Sequence, residues 1–302
     1  MEFDLENPLT SSESEPDYVS ALFAAESDHM GSPAATLDLS SRRDAVSLII
    51  QAQFACNLDP FISYLAINYI DRFLARQGIP REKPWVARLL AVSCLSLASK
   101  MKKSEFSLPD FQREEGFIFD AQTIHRMELL VLGALDWRMR SITPFSFIRF
   151  FLSFFSPANP PLLQALKARA SHTLIKAQSE IKLLEFKPSV IAASALISAA
   201  HELFPIQSPS FRSAIASSHF VNKEMLRECC TVMGGVVEMM MMDGCDPRLE
   251  MASSCGTPVT VLGQHCPSSE SDLTVGSSSD GRGIKKRRVD GIPAFHLSQT
   301  CD

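Results

Sequence analysis

Apolar residues along most of the chain recur at intervals of three and four positions, and no convincing run alternates between apolar and polar residues. The first spacing is typical of amphipathic helices, whereas alternation is typical of strands. A capping side chain or a proline precedes each apolar segment of the first half, and both suit the unpaired amides of a helix start. The predicted starts are Ser40 or Ser41, Asp59 with Pro60, Pro84, and Asp120. The pattern therefore predicts an all-α fold.

The helical pattern repeats after a shift of about 104 residues, which is the self-similarity expected of a duplicated unit. The segment “KPWVARLLAVSCLSLASK”, which begins at Lys83, matches “KPSVIAASALISAAHEL”, which begins at Lys187. Asn222 precedes the last apolar segment, as a cap precedes the corresponding segment of the first unit. The repeat predicts two tandem boxes of about five helices each. The predicted boundaries are 40–140 and 141–242.

Residues 1–39 and 243–302 lack this periodicity and are rich in Ser, Pro, Gly, Thr, Asp and Glu. Such a composition is typical of disordered tails. The C-terminal tail contains one compact basic cluster, formed by Lys285, Lys286, Arg287 and Arg288.

In a flexible context, this basic cluster predicts recognition by a nuclear import receptor, and therefore a protein of the nucleus and cytoplasm. A solvated charge run and a contact with nucleic acid are the alternatives. Four residues are a small electrostatic footprint for a DNA-binding protein, so no direct nucleic-acid partner is expected.

Composition excludes several classes of protein. With 302 residues, 46% of them apolar, and a net charge of −5, the chain is long enough to bury a core. No apolar run reaches the roughly 20 residues that span a bilayer, so no membrane partner is expected. The cysteine and histidine cluster at Cys245, Cys255, His265 and Cys266 fits no usual zinc spacing. No nucleophile and base pair or phosphate-binding loop is evident, so we expect neither an enzyme nor a cofactor.

Two charged residues occupy unusual places in the apolar pattern. Lys100 ends an almost unbroken apolar helix, and Glu128 shares one face of the next predicted long helix with Ile124 and Leu132. If the two helices are neighbours, an acid and a base lie together at the edge of a hydrophobic patch. For an isolated pair, an internal salt bridge, or a lysine that reaches solvent beside a glutamate, is the more common explanation. The pair alone does not distinguish these interpretations from a binding site.

The surrounding segments resemble the cyclin box. The resemblance is carried by “YLAINYIDRFLA” at Tyr64–Ala75, “LLAVSCLSLASKMKK” after it, and “RMELLVLGALDWRM” at Arg126–Met139. Three motifs in this order and at these intervals are specific. The resemblance extends over residues 40–242 and includes both predicted boxes.

Membership of the cyclin family implies roles for five residues of the first box. Arg42 and Asp71 would form a structural pair between the first and second helices, and Leu89 would lie in the central helix. Lys100 and Glu128 would hydrogen-bond to a cyclin-dependent kinase near its mobile regulatory helix. The resemblance thus implies a regulatory subunit that activates this kinase as a heterodimer and promotes the G1/S transition and cell division.

Kinase-inhibitor proteins are further partners that the resemblance suggests. The alternative is a protein of the cyclin fold that binds DNA or transcription machinery without activating a cell-cycle kinase.

Longer segments look like the plant D-type cyclins, which usually carry a Leu-x-Cys-x-Glu motif that binds retinoblastoma-type pocket proteins. The matching place here has Leu22, Ala24 and Glu26, so the cysteine is missing. This departure resembles the sixth group of plant D-type cyclins and puts docking to a retinoblastoma-type protein by this route in doubt. The alternative is that “LFAAE” is an ordinary stretch of a disordered tail.

Overall fold

The structure is a computed structural model that describes residues 15–30, 38–80, 83–104, 107–114, 116, 118–156 and 159–242. Its regular elements are helices, and the described residues contain no strand. The predicted all-α fold is therefore confirmed. Across these ranges, no helix is both long and apolar enough to cross a membrane.

Eleven α-helices are present in the described part of the chain. They are α1 (Glu15–Ala25), α2 (Leu39–Ala55), α3 (Pro60–Arg76), α4 (Pro84–Lys102), α5 (Leu108–Glu114), α6 (Ala121–Ala134), α7 (Phe145–Leu152), α8 (Pro160–Lys176), α9 (Pro188–Leu203), α10 (Ser208–Ser217) and α11 (Lys223–Met242).

Helices α2–α6 form the first box, and α7–α11 form the second. In the first box α4 packs against α2, α3 and α6, and in the second α9 packs against α7, α8, α10 and α11. Both central helices are buried along nearly their whole length. Their residues are small or apolar on every side, so neighbours are needed all around them. The repeat in the sequence thus corresponds to two equivalent helical boxes.

Helix starts agree with most of the predicted caps. Asp59, Asp120 and Asn222 each accept a backbone N–H from the first turn of the helix that follows. For α2 the prediction of Ser40 or Ser41 is wrong, because Asp38 caps this helix and accepts the N–H of Ser40. A carboxylate two residues upstream reaches this amide, and both serine hydroxyls donate to the same Asp38 side chain.

Residues Glu15–Met30 form an N-terminal arm made of α1 and a 3₁₀ turn at Glu26–His29. The prediction of a disordered tail is wrong for this segment. Phe23 is only 8% exposed because its ring lies among the rings of Phe147, Phe150, Phe151 and Phe220. Its ring centroid is 4.3 Å from that of Phe220, in a stacked arrangement. The second box thus buries apolar surface of the arm.

Glu26 attaches the end of the arm to the start of α9. The backbone N–H of Ser189 donates to Glu26 Oε2 at 2.9 Å, and the Ser189 hydroxyl donates to Oε1 at 3.0 Å. Lys187 Nζ lies 3.7 Å from the same carboxylate. The residue that precedes α9 offers no side-chain cap of its own, so Glu26 satisfies an amide that would otherwise lack a partner.

These contacts correct the alternative that “LFAAE” is an ordinary stretch of a disordered tail. Leu22 and Glu26 are 3% and 1% exposed, whereas Ala24 between them is exposed. The two residues that match the motif therefore point into the protein. The C-terminal residues 243–302, with the basic cluster and the four cysteine and histidine positions, lie outside the described residues.

Candidate functional site

Lys100 and Glu128 lie together where the end of α4 meets α6. Lys100 Nζ is 2.6 Å from Glu128 Oε1. Their environments differ, because the lysine side chain is 63% exposed and the glutamate side chain only 6%. Glu128 lies on the α6 face that packs toward α4, whereas Lys100 occupies the last turn of α4. The acid is thus part of the packed interior and the base faces solvent.

The backbone after Lys100 stops α4 abruptly. Lys103 has a left-handed φ of 54°, and the N–H of Ser104 donates to the carbonyl of Ser99 at 3.0 Å. This is the pattern of a Schellman-type helix end, which satisfies the last carbonyls and turns the chain away. The termination holds Lys100 at the surface beside Glu128.

Apolar residues lie near the charged pair along α4, along α6 and just after α6. Met101 and Leu132 are partly buried against the core, and Leu129 and Trp137 are 46% and 68% exposed. Leu132 lies four positions after Glu128 and three after Leu129, so it neighbours both residues on α6. We call these four apolar residues, together with Lys100 and Glu128, the α4–α6 surface.

Trp137 has an unusual backbone. Its φ is 59°, and that of Asp136 before it is 52°. The N–H of Trp137 donates to the carbonyl of Leu132 at 2.9 Å, which places the tryptophan backbone beside the α4–α6 surface. A bulky residue with positive φ is rare and strained, and such strain clusters at functional sites. The sequence reasoning missed Trp137 because neither its exposure nor its backbone angle follows from the apolar pattern.

A buried ion pair joins α2 and α3 of the first box. Arg42 Nε donates to Asp71 Oδ1 at 2.7 Å, and Nη2 donates to Oδ2 at 3.2 Å. The remaining Arg42 nitrogen, Nη1, donates to the carbonyl of Gln178 at 2.9 Å. The resemblance implied the first contact, but the second was not expected. Arg42 therefore joins α2 to α3 and also joins the first box to the second.

Burial raises the pKa of Asp71, and the guanidinium of Arg42 opposes this rise. We predict that Arg42→Ala costs about 3–5 kcal/mol near neutral pH, because it leaves a buried carboxylate without its partner. Without the arginine, the Asp71 pKa should rise further. The folded state would then hold a proton at pH values where the unfolded chain has lost it, so the free energy of unfolding should fall as pH increases.

Denaturant unfolding at pH 5 and pH 7 measures this effect, and the loss relative to the natural chain should be larger at pH 7. Arg227→Ala serves as the control, because its ion pair with Glu224 is 67% and 71% exposed and such pairs contribute little. Equal losses at the two pH values would contradict the proposed cause.

The other predicted site residues fall into two groups. Leu89 is 4% exposed within α4 and belongs to the hydrophobic core. Leu22, Ala24 and Glu26 belong to the N-terminal arm and are not part of the α4–α6 surface.

Two family sequence models match the chain. The one described as cyclin, N-terminal domain, matches residues 18–140, and the one described as cyclin, C-terminal domain, matches residues 142–241. The chain therefore belongs to the cyclin family, whose members regulate kinases and are not themselves enzymes. The first match begins within α1, so it includes most of the N-terminal arm.

Within this family the chain groups with the plant D-type cyclins, as the resemblance predicted. It is 45% identical to cyclin-D6-1 of Oryza sativa subsp. japonica over 95% of this chain and 90% of the relative. A relative from Arabidopsis thaliana with the same D6-1 designation is 41% identical over 95% of this chain and its own full length. Cyclin-D2-2 of rice is 37% identical over 85% of this chain and 72% of the relative. These similarities support the assignment of the chain to the D6 group of plant D-type cyclins.

Among solved structures, a viral cyclin from herpesvirus saimiri has the same fold. The match has a TM-score of 0.61 at 15% sequence identity, and it covers 74% of this chain and 99% of the viral protein.

Proposed function

We propose that this D-type cyclin binds and activates a cyclin-dependent serine/threonine kinase, and so promotes the G1/S transition and cell division. The observation that carries the proposal is the pairing of an exposed Lys100 with a buried Glu128 on the α4–α6 surface. These residues occupy the positions that the family resemblance assigns to kinase contact.

The composition of the α4–α6 surface suits a protein partner. Exposed apolar side chains next to a few charged groups are typical of the centre of an interface. Trp137 offers a large rigid ring, and its strained backbone costs free energy that solvent exposure does not repay. A partner that covers the ring would recover part of this cost through apolar burial.

The mechanism we propose is allosteric. The surface would pack on the regulatory helix of the kinase and hold it inward, so that the kinase's own lysine and glutamate can pair and its activation loop can open. A partner shifts such an equilibrium only through different affinities for the two states. The cyclin would supply this difference in binding free energy, and the kinase would supply every catalytic group.

Pull-down with a panel of purified plant cyclin-dependent kinases tests the proposal. At least one kinase should bind the full chain and should phosphorylate histone or a pocket protein faster in the complex than alone. Binding by no member of the panel, or binding without any gain in activity, would refute the proposal.

The burial of Leu22 and Glu26 supports the proposal that this cyclin does not bind a retinoblastoma-type protein through its N-terminal segment. Binding through these residues would require the arm to leave the second box, with loss of the Phe23 ring contacts and of the Glu26 hydrogen bonds. A pocket protein would then be a substrate of the complex rather than a ligand of this segment.

We also propose nuclear import through the basic cluster Lys285–Arg288. Replacement of all four residues by alanine should shift a fluorescent fusion from the nucleus toward the cytoplasm, because an import receptor reads the positive charges. Replacement of Ser277, Ser278 and Ser279 by alanine in the same segment serves as the control and should leave the distribution unchanged. Full nuclear accumulation of the four-residue variant would show that entry has another cause.

A further inference from the structure

The carboxylate of Glu128 contacts a second basic side chain besides Lys100. His125 Nδ1 lies 3.6 Å from Glu128 Oε2, while Lys100 Nζ is bound to Oε1. His125 is one turn before Glu128 on α6, and its side chain is 66% exposed. The two oxygens of one nearly buried carboxylate are thus divided between two exposed residues.

This division constrains the orientation of the carboxylate. A carboxylate has several acceptor positions, so its two oxygens can face two separate polar groups. In the described part of the chain, the imidazole of His125 is the basic group that faces Oε2. A distance of 3.6 Å is longer than a direct hydrogen bond, so His125 faces the carboxylate as a polar neighbour one helical turn away. His125 therefore favours one orientation of the carboxylate plane, in which one oxygen meets Lys100 and the other faces the imidazole.

The same geometry places His125 on the solvent side of the α4–α6 surface. On α6, residues 128 and 129 lie three and four positions after His125, and Leu132 lies four and three positions after them, so these residues border one face of the helix. His125 thus borders the proposed kinase contact, whereas Arg227 on α11 offers an exposed basic residue away from the α4–α6 surface.

We propose that His125 is a positioning residue of the kinase-docking surface, which acts by orienting the Glu128 carboxylate through Nδ1. The inference rests on the proposed function and adds a residue that the family resemblance did not assign. A partner that binds one orientation of the Glu128 carboxylate would bind more weakly without the imidazole. Ordering the carboxylate on binding would then reduce the net binding free energy.

The test uses the full chain and the kinase of the panel that binds it most tightly. His125→Ala should weaken binding by about 3- to 10-fold, the range expected for one lost polar contact. His125→Asn should retain most of the affinity, because its amide N–H takes the place of Nδ1. His125→Gln should not, since its amide lies near the position of the other ring nitrogen. Arg227→Ala, which removes an exposed basic side chain from α11, should leave the affinity unchanged.

A double-mutant cycle separates positioning from a general structural effect. In a Glu128→Gln background the effect of His125→Ala should shrink to less than about twofold, and the melting temperature should stay unchanged in the single His125 variants. Equal losses in the two backgrounds, or natural affinity of His125→Ala, would refute the inference.

The outcome for His125 can be distinguished from that for the proposed function. If Lys100→Ala with Glu128→Ala abolishes binding while His125→Ala binds normally, only the inference on His125 fails. If no kinase of the panel binds the natural chain, both the proposed function and the inference are rejected.

Discussion

Simultaneous replacement of Lys100 and Glu128 by alanine is expected to reduce kinase affinity by about 100-fold or more while the chain stays folded. Both residues belong to the α4–α6 surface, and their charged atoms meet at 2.6 Å. Both residues are replaced together because either single replacement leaves one charge of the pair without its partner. Glu128 alone would be a buried carboxylate without Lys100, which costs stability as well as affinity.

The measurement is a binding titration of the purified chain against the kinase, combined with a thermal melt. Arg227→Ala with Glu224→Ala provides the matched control, because it removes an ion pair of similar length from an exposed face of α11. The control should bind the kinase like the natural chain. Kinase activation by the Lys100 and Glu128 variant at the natural affinity would show that the docking surface lies elsewhere.

Phe23→Ala is expected to lower the free energy of unfolding by about 3–5 kcal/mol, the usual cost of removing a buried phenylalanine ring. The ring contacts Phe147, Phe150 and Phe220, with centroids 4.3–5.4 Å away, so its removal leaves a cavity between the arm and the second box. Denaturant unfolding of the full chain measures the loss.

Phe54→Ala is the control for this prediction. The Phe54 ring is 41% exposed and contacts Lys176 Nζ at 4.4 Å to its centroid, so less apolar burial is lost than at Phe23. If Phe23→Ala were no more costly than Phe54→Ala, the arm would not be an integral part of the second box.

Local patterns in the sequence were sufficient for the helices and for their duplication. Pro60 and Pro84 at the first helical positions and the caps Asp59, Asp120 and Asn222 act within a few residues, so their effect is readable along the chain. The all-apolar character of α4 and α9 likewise required a central position. The family resemblance then identified Lys100 and Glu128 as candidates.

Tertiary structure decided the features that depend on distant residues. The arm was predicted to be a tail because its short Leu22-Phe23 pair carries little local signal, while its partner Ser189 lies 163 positions from Glu26. The contact of Arg42 with Gln178 spans 136 positions, and no spacing rule links the two. The 6% exposure of the Glu128 side chain arises only when α4 and α6 pack together. Helices follow from neighbours in the chain, whereas burial and charge pairing follow from neighbours in space, which only the fold brings together.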